Sequence, residues 1–117
     1  MAKQIYRMNL KHHIGIAESS EGFFEELSTL YYDGLKKEDV DIKPVVSEET
    51  TKKMLLLHRL MYNSEQFEYR DIVDAIISLV PPENWDEREE IADGVCTTGE
   101  RLSDLTEEEF MDWFVTE

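Results

Sequence analysis

The chain has one cysteine, three prolines and five glycines in 117 residues. A lone Cys96 excludes an internal disulfide and fits a reducing compartment, and with no histidine near it in sequence it reads as a small packed residue. The longest apolar runs, around Met54 to Leu57 and Ile76 to Val80, fall far short of the roughly 20 residues that span a bilayer. No basic-then-apolar signal segment opens the chain, so a cytoplasmic protein is expected.

Catalytic signatures are missing too. There is no GxGxxG, no Gly-rich phosphate loop, no GxSxG and no CxxC. Adjacent His12 and His13 point to opposite faces of a strand, and His58 and Cys96 are remote, so no zinc site is expected and the histidines read as solvated or lightly packed. A calcium loop counted from Asp86 places Ile91 where the tight-turn glycine belongs and Arg88 at a ligand position, which rejects an EF-hand. No enzyme, cofactor or metal is expected.

Lysine is absent after Lys53. Residues 1–60 hold nine Lys or Arg against ten Asp or Glu, net −1; residues 61–117 hold three (Arg70, Arg88, Arg101) against seventeen, net −14, and the two sum to the formal −15 of the chain. Runs of like charge are ordinarily a solvated helix face, but a solubility surface mixes both signs. The asymmetry points to a charged interaction surface and excludes direct binding of nucleic acid, anionic lipid or acidic substrates.

Hydrophobic residues at 41% and aromatics at 10% suffice for a globular core, and the length suits one domain, 1–117. Alternation in residues 3–10 (Tyr6, Met8, Leu10) predicts a strand, with 12–17 its hairpin partner or a continuation. Ser19 or Ser20 caps a helix whose stripe is Phe23, Phe24, Leu27, Leu30, Tyr31 and Leu35, with Glu25, Glu26, Thr29, Asp33 and Lys36 opposite and Gly34 as its stop. Residues 39–46 alternate again, Val40 and Ile42 facing one way, and Pro44 marks an edge strand.

Ser47 caps a helix in which Met54, Leu55, Leu56, Leu57, Leu60, Met61 and Tyr62 leave a narrow polar strip, the expected central core helix. Asn63, as a left-handed C-terminal residue, and Ser64, as an N-cap, separate it from a helix over 65–80 that Pro81 and Pro82 end. Asn84 with Glu87 predicts a capping box for a short helix over 85–94, followed by a loop or short strand over 95–104. Thr106 with Glu109 predicts a second capping box, with Leu105 and Phe110 as a hydrophobic staple. The expected architecture is a small α+β domain: a two- or three-stranded antiparallel sheet from the N-terminal third with four or five helices.

Series such as Glu65, Glu68, Asp71, Asp74 and Asp86, Glu89, Glu90, Asp93 would then form rows of charge, with helical neighbours roughly 5–6 Å apart. In length, acid content and expected α+β compactness the chain resembles the small acidic DNA-mimic proteins of bacteria and phages, and is similar in size and charge to the one that binds the histone-like protein HU. The resemblance implies a non-enzymatic protein whose carboxylates compete with DNA for a basic DNA-binding protein; a monomer is expected. The acids expected to supply the phosphate-like array are Asp71, Asp74, Glu83, Asp86, Glu87, Glu89, Glu90, Asp93, Glu100, Asp104, Glu107, Glu108, Glu109 and Asp112. Trp85, Phe67 and Trp113 are candidate apolar anchors, with core packing the favoured role for Trp85 and Trp113. An immunity-type, anti-restriction or anti-CRISPR inhibitor of a nuclease is the alternative, since it too presents acids to a basic rim.

Overall fold

The computed structural model describes residues 3–8, 13–30, 34 and 36–114. Expectations placed on Leu10, His12, Tyr31, Asp33, Leu35 and the Leu30 side chain lie outside these.

Three strands, β1 (Gln4–Met8), β2 (His13–Ala17) and β3 (Ile42–Val46), form an antiparallel sheet in the order β2-β1-β3. Residues 13–17 are therefore the hairpin partner of β1. Pro44 does sit on an edge strand, where its missing N–H breaks no ladder bond. Five helices follow among the described residues: α1 (Ser20–Leu30), α2 (Glu48–Tyr62), α3 (Tyr69–Ser78), α4 (Arg88–Leu102) and α5 (Glu107–Asp112).

Central β1 is buried on both faces, so the sheet divides two cores. Tyr6, Met8 and Ala17 meet Phe23 and Leu27 of α1, with Val40 and Ile42 packed beside them. Ile5, Ile16 and Val46 face the larger core, built from α2, α3, α4 and the segment that carries Phe110 and Phe114. One helix covers one face and the remaining helices lie on the other.

Caps fix several boundaries. Ser19 Oγ accepts from the Gly22 N–H at 3.0 Å and Ser47 Oγ from the Thr50 N–H at 3.2 Å, so each opens its helix. Beyond α1, Gly34 has φ +87°, a left-handed geometry that glycine adopts without a Cβ clash. At α5 the Thr106 hydroxyl accepts from the Glu109 N–H at 3.1 Å, and the Glu109 carboxylate accepts from the Thr106 N–H at 3.0 Å. That backbone bond holds the Glu109 carboxyl below its ordinary range. Leu105 and Phe110 both join the large core beneath the cap. Thr106→Ala should cost about 1 kcal/mol, read as a lower urea midpoint with unchanged slope.

Four expectations are corrected. Asn63 is right-handed (φ −82°), and α3 begins at Tyr69 rather than near Ser64, because Glu68 and Asp71 make their own capping box. Glu65 thus stands outside the helix, and the charge row shortens to Asp71 and Asp74. Asn84 and Glu87 form no box: the Asn84 amide donates to the Val45 carbonyl and Glu87 pairs with Arg7. Residues 82–87 are a 3-10 turn instead.

The largest departure is α4, which runs unbroken through the residues expected to form a loop. Its Gly94 and Gly99 each mark a close approach. A Cβ on Gly94 would lie 3.3 Å from Ile14 Cγ2, and one on Gly99 only 2.4 Å from His58 Nδ1. Tertiary packing against β2 and α2 overrides the weak local propensity.

Helix α2 is also less enclosed than its composition implies. Thr51, Met54, Leu55, His58 and Met61 are buried, but Leu56, Leu60 and Tyr62 are exposed, Leu60 at 71%. Its inward stripe packs chiefly against α3, α4 and β1.

Candidate partner-binding surface

The N-terminal half of α4 forms an acidic ridge. Glu89 and Asp93 face a shallow groove shared with Asp74, Arg70, Val73 and Ile77 of α3. Glu90 and Asp93 face a second groove of about 450 Å³, whose other wall is Phe23, Glu26 and Leu27 of α1 and whose floor is Ile14, Gly15 and Ile16 of β2. Glu90 also borders a third hollow with Asp86, Glu87, Arg7 and Ile14. The structure thus brings Asp74, Asp86, Glu87, Glu89, Glu90 and Asp93 together, although Asp74 lies on a different helix and Asp86 on the preceding turn.

Every acid of the expected array except Glu87 is exposed. Glu87 is half-buried and spent on Arg7, which turns it from a surface charge into a tie between β1 and the turn before α4. Among the described residues none of the others makes an ion pair; Arg101 reaches Glu26 at 4.0 Å, and Arg70 and Arg88 pair with nothing. Asp71 and Glu109 have local roles as capping acids. Glu107, Glu108, Glu109 and Asp112 stand on α5, Glu100 and Asp104 toward the end of α4 and beyond, and Glu83 on the turn. None of these seven lines the three grooves along the ridge.

No family model, curated protein or solved structure matches the chain. The chain's own geometry therefore has to carry the functional reading.

Aromatic residues sort differently from expectation. Trp113 is partly buried against the large core, with Lys3 Nζ 4.7 Å above its ring, which bears out packing. Trp85 is 55% exposed, its indole N–H donating to the Val80 carbonyl at 3.2 Å, so core packing does not hold for it. Phe67 is exposed and lies in the connection before α3, not on that helix. Glu26 was missed as a site residue: the stripe of α1 marks it as solvent-facing, and only the tertiary arrangement sets it opposite Glu90 and Asp93.

His58 corrects the expectation of a lightly packed side chain. It is fully buried, stacked on Tyr62 at 5.2 Å between ring centroids, and neither ring nitrogen has a hydrogen-bond partner among the described residues. Burial lowers its pKa, partly opposed by Glu100. The unfolded chain then takes up a proton that the native state refuses, so this contribution is constant above the ordinary histidine value of about 6.5 and stability falls as pH drops below it. Urea midpoints measured from pH 7.5 down to 5.5 should decline in the native sequence, and decline less in His58→Met. Equal slopes would remove His58 as the cause.

No helix among the described residues is long and apolar enough to cross a membrane. No group of three or more His, Cys, Asp or Glu among them is arranged to hold a metal ion.

Proposed function

We propose that this protein acts without catalysis as an acidic DNA mimic in the cytoplasm: as a monomer it binds the DNA-contacting surface of a basic protein such as the histone-like HU and competes with DNA. The observation that carries the reading is the exposure of the acid array with no ion pair among the described residues to neutralise it outside Glu87. A like-charged pair three or four residues apart on a helix costs a few tenths of a kcal/mol, so Glu89, Glu90 and Asp93 are held together against their own repulsion. The dimensions also suit the role. The principal axis of 45 Å matches a length of duplex carrying on the order of 25 phosphates at about 1.7 Å per charge, against seventeen acids in the second half of the chain.

The test is displacement. The immobilised chain should retain purified HU-type protein at low salt and release it when duplex DNA is added. Retention that excess duplex leaves untouched would place the bound surface elsewhere and end the mimicry reading.

A further inference from the structure

The groove between α1 and α4 meets Ile14, Gly15 and Ile16, three consecutive residues of β2. Successive side chains of a strand point to opposite faces. Ile14 and Ile16 belong with the large core and Gly15 lies under Phe23 on the other side, so a groove that touches all three runs along the edge of the strand.

That edge is free. The sheet order leaves β2 outermost, and beyond the ladder to β1 no hydrogen bond among the described residues reaches Ile14, Gly15 or Ile16. Unpaired backbone groups along an edge are a template for another strand, and proteins ordinarily block them with proline, charge or a bulge. β3 at the opposite edge has all three: Pro44, Lys43 and a register shift against Ile5 and Tyr6. The β2 segment, His-Ile-Gly-Ile-Ala, has no proline, lysine, arginine or carboxylate.

The walls make a slot of this edge. A Cβ on Gly15 would lie 2.6 Å from Phe23 Cε1, so α1 leans this closely on β2 only because residue 15 lacks a side chain. Gly94 brings α4 close to Ile14 less tightly, a Cβ there lying 3.3 Å from Ile14 Cγ2. Within the slot Thr98 is buried, 4% exposed. Glu90 and Asp93, unpaired, stand on one wall and Glu26 on the other.

We propose that the slot docks an extended segment of a basic protein, which adds a strand to the free edge of β2. Its backbone pairs with β2, alternate apolar side chains settle on Phe23 and Leu27 of the α1 wall, and its intervening Lys or Arg side chains reach Glu90 and Asp93 on the α4 wall. The basic character of the occupant rests on the DNA-mimic reading; the free edge does not. A second copy of this chain is the wrong occupant on charge, since each carries −15. Docking of this kind supplies directional hydrogen bonds that duplex DNA does not offer, and so selects among basic proteins.

The test is amide-resolved NMR of the full chain titrated with a capped peptide of about six residues alternating valine and lysine, the length of an ordinary strand. The Ile14, Gly15 and Ile16 amides should shift, and hydrogen exchange should slow by about tenfold or more at saturation for those whose N–H points away from β1. The effect should vanish when alternate peptide nitrogens are methylated or the lysines become glutamates. Thr97→Trp, which fills the slot from an exposed position, should abolish it in a chain that still melts cooperatively. Shifts confined to other amides, equal binding of the glutamate peptide, or concentration-dependent shifts of β2 without peptide would each overturn the proposal. Slowed exchange at β2 alongside capture indifferent to DNA supports the edge and sinks mimicry, whereas DNA-competed capture with β2 unaffected sinks the edge alone.

Discussion

Gly99→Ala is expected to destabilise the fold by about 1–3 kcal/mol, the usual range for forcing an extra group into a packed core. The sign is the informative part, because glycine to alanine inside a helix ordinarily gains about 0.5–1 kcal/mol. Here the new methyl would lie 2.4 Å from His58 Nδ1 and 2.7 Å from two further ring atoms. The ring has nowhere to go: His58 is fully buried and stacked on Tyr62. Thermal melts should therefore show a fall of roughly 4 °C for each kcal/mol lost. In a His58→Ala background the same change should be neutral or favourable, giving a strongly non-additive cycle. A single variant that melts at or above the native temperature would mean that α4 and α2 are not held at this distance.

The larger expected effect lies in binding. Asp74→Asn, Glu89→Gln and Asp93→Asn combined remove three carboxylates around one groove while leaving the core untouched. Stability should rise, by about 0.5 kcal/mol, because like charges at helical spacing no longer repel. Retention of a basic DNA-binding partner should fall tenfold or more. For the native chain, a contact that replaces six or more phosphates should lose on the order of a thousandfold in affinity between 50 and 200 mM salt, and the triple variant should show a shallower slope. Binding and stability moving in opposite directions is what separates a surface kept for a partner from one kept for solubility. Unchanged retention in the triple variant would shift the contact to α5 or remove it.

The features visible in the sequence were those decided by near neighbours. Ser47, the Thr106–Glu109 pair and Pro44 act over a few residues, and each does in the fold what its local chemistry predicts. Helix α4 was hidden for the opposite reason: Thr97, Thr98, Gly94 and Gly99 have poor helix propensity, and the partners that justify them, Ile14 and His58, are tens of residues away. The exposure of the acids could be anticipated, since carboxylates in such numbers cannot be buried. Their grouping could not, because it depends on α3 lying against α4 and on α1 crossing the far face of the sheet. The edge of β2 was equally invisible, as strand order is not written in any local pattern.

The aromatic end of the chain meets cations from its first half. Lys3 lies 4.7 Å over Trp113, Lys52 5.8 Å over Phe114, and Arg59 4.5 Å over Phe110 while donating to the Leu102 and Leu105 carbonyls. These positive groups face rings of the acid-rich half rather than its carboxylates, and partly buried contacts of this kind are screened by salt far less than exposed charge pairs. The molecule thus has two electrostatic systems with different responses to ionic strength. Salt strong enough to strip a basic partner from the acidic ridge should leave the seam between the two halves of the chain closed, so that release and unfolding are separable events.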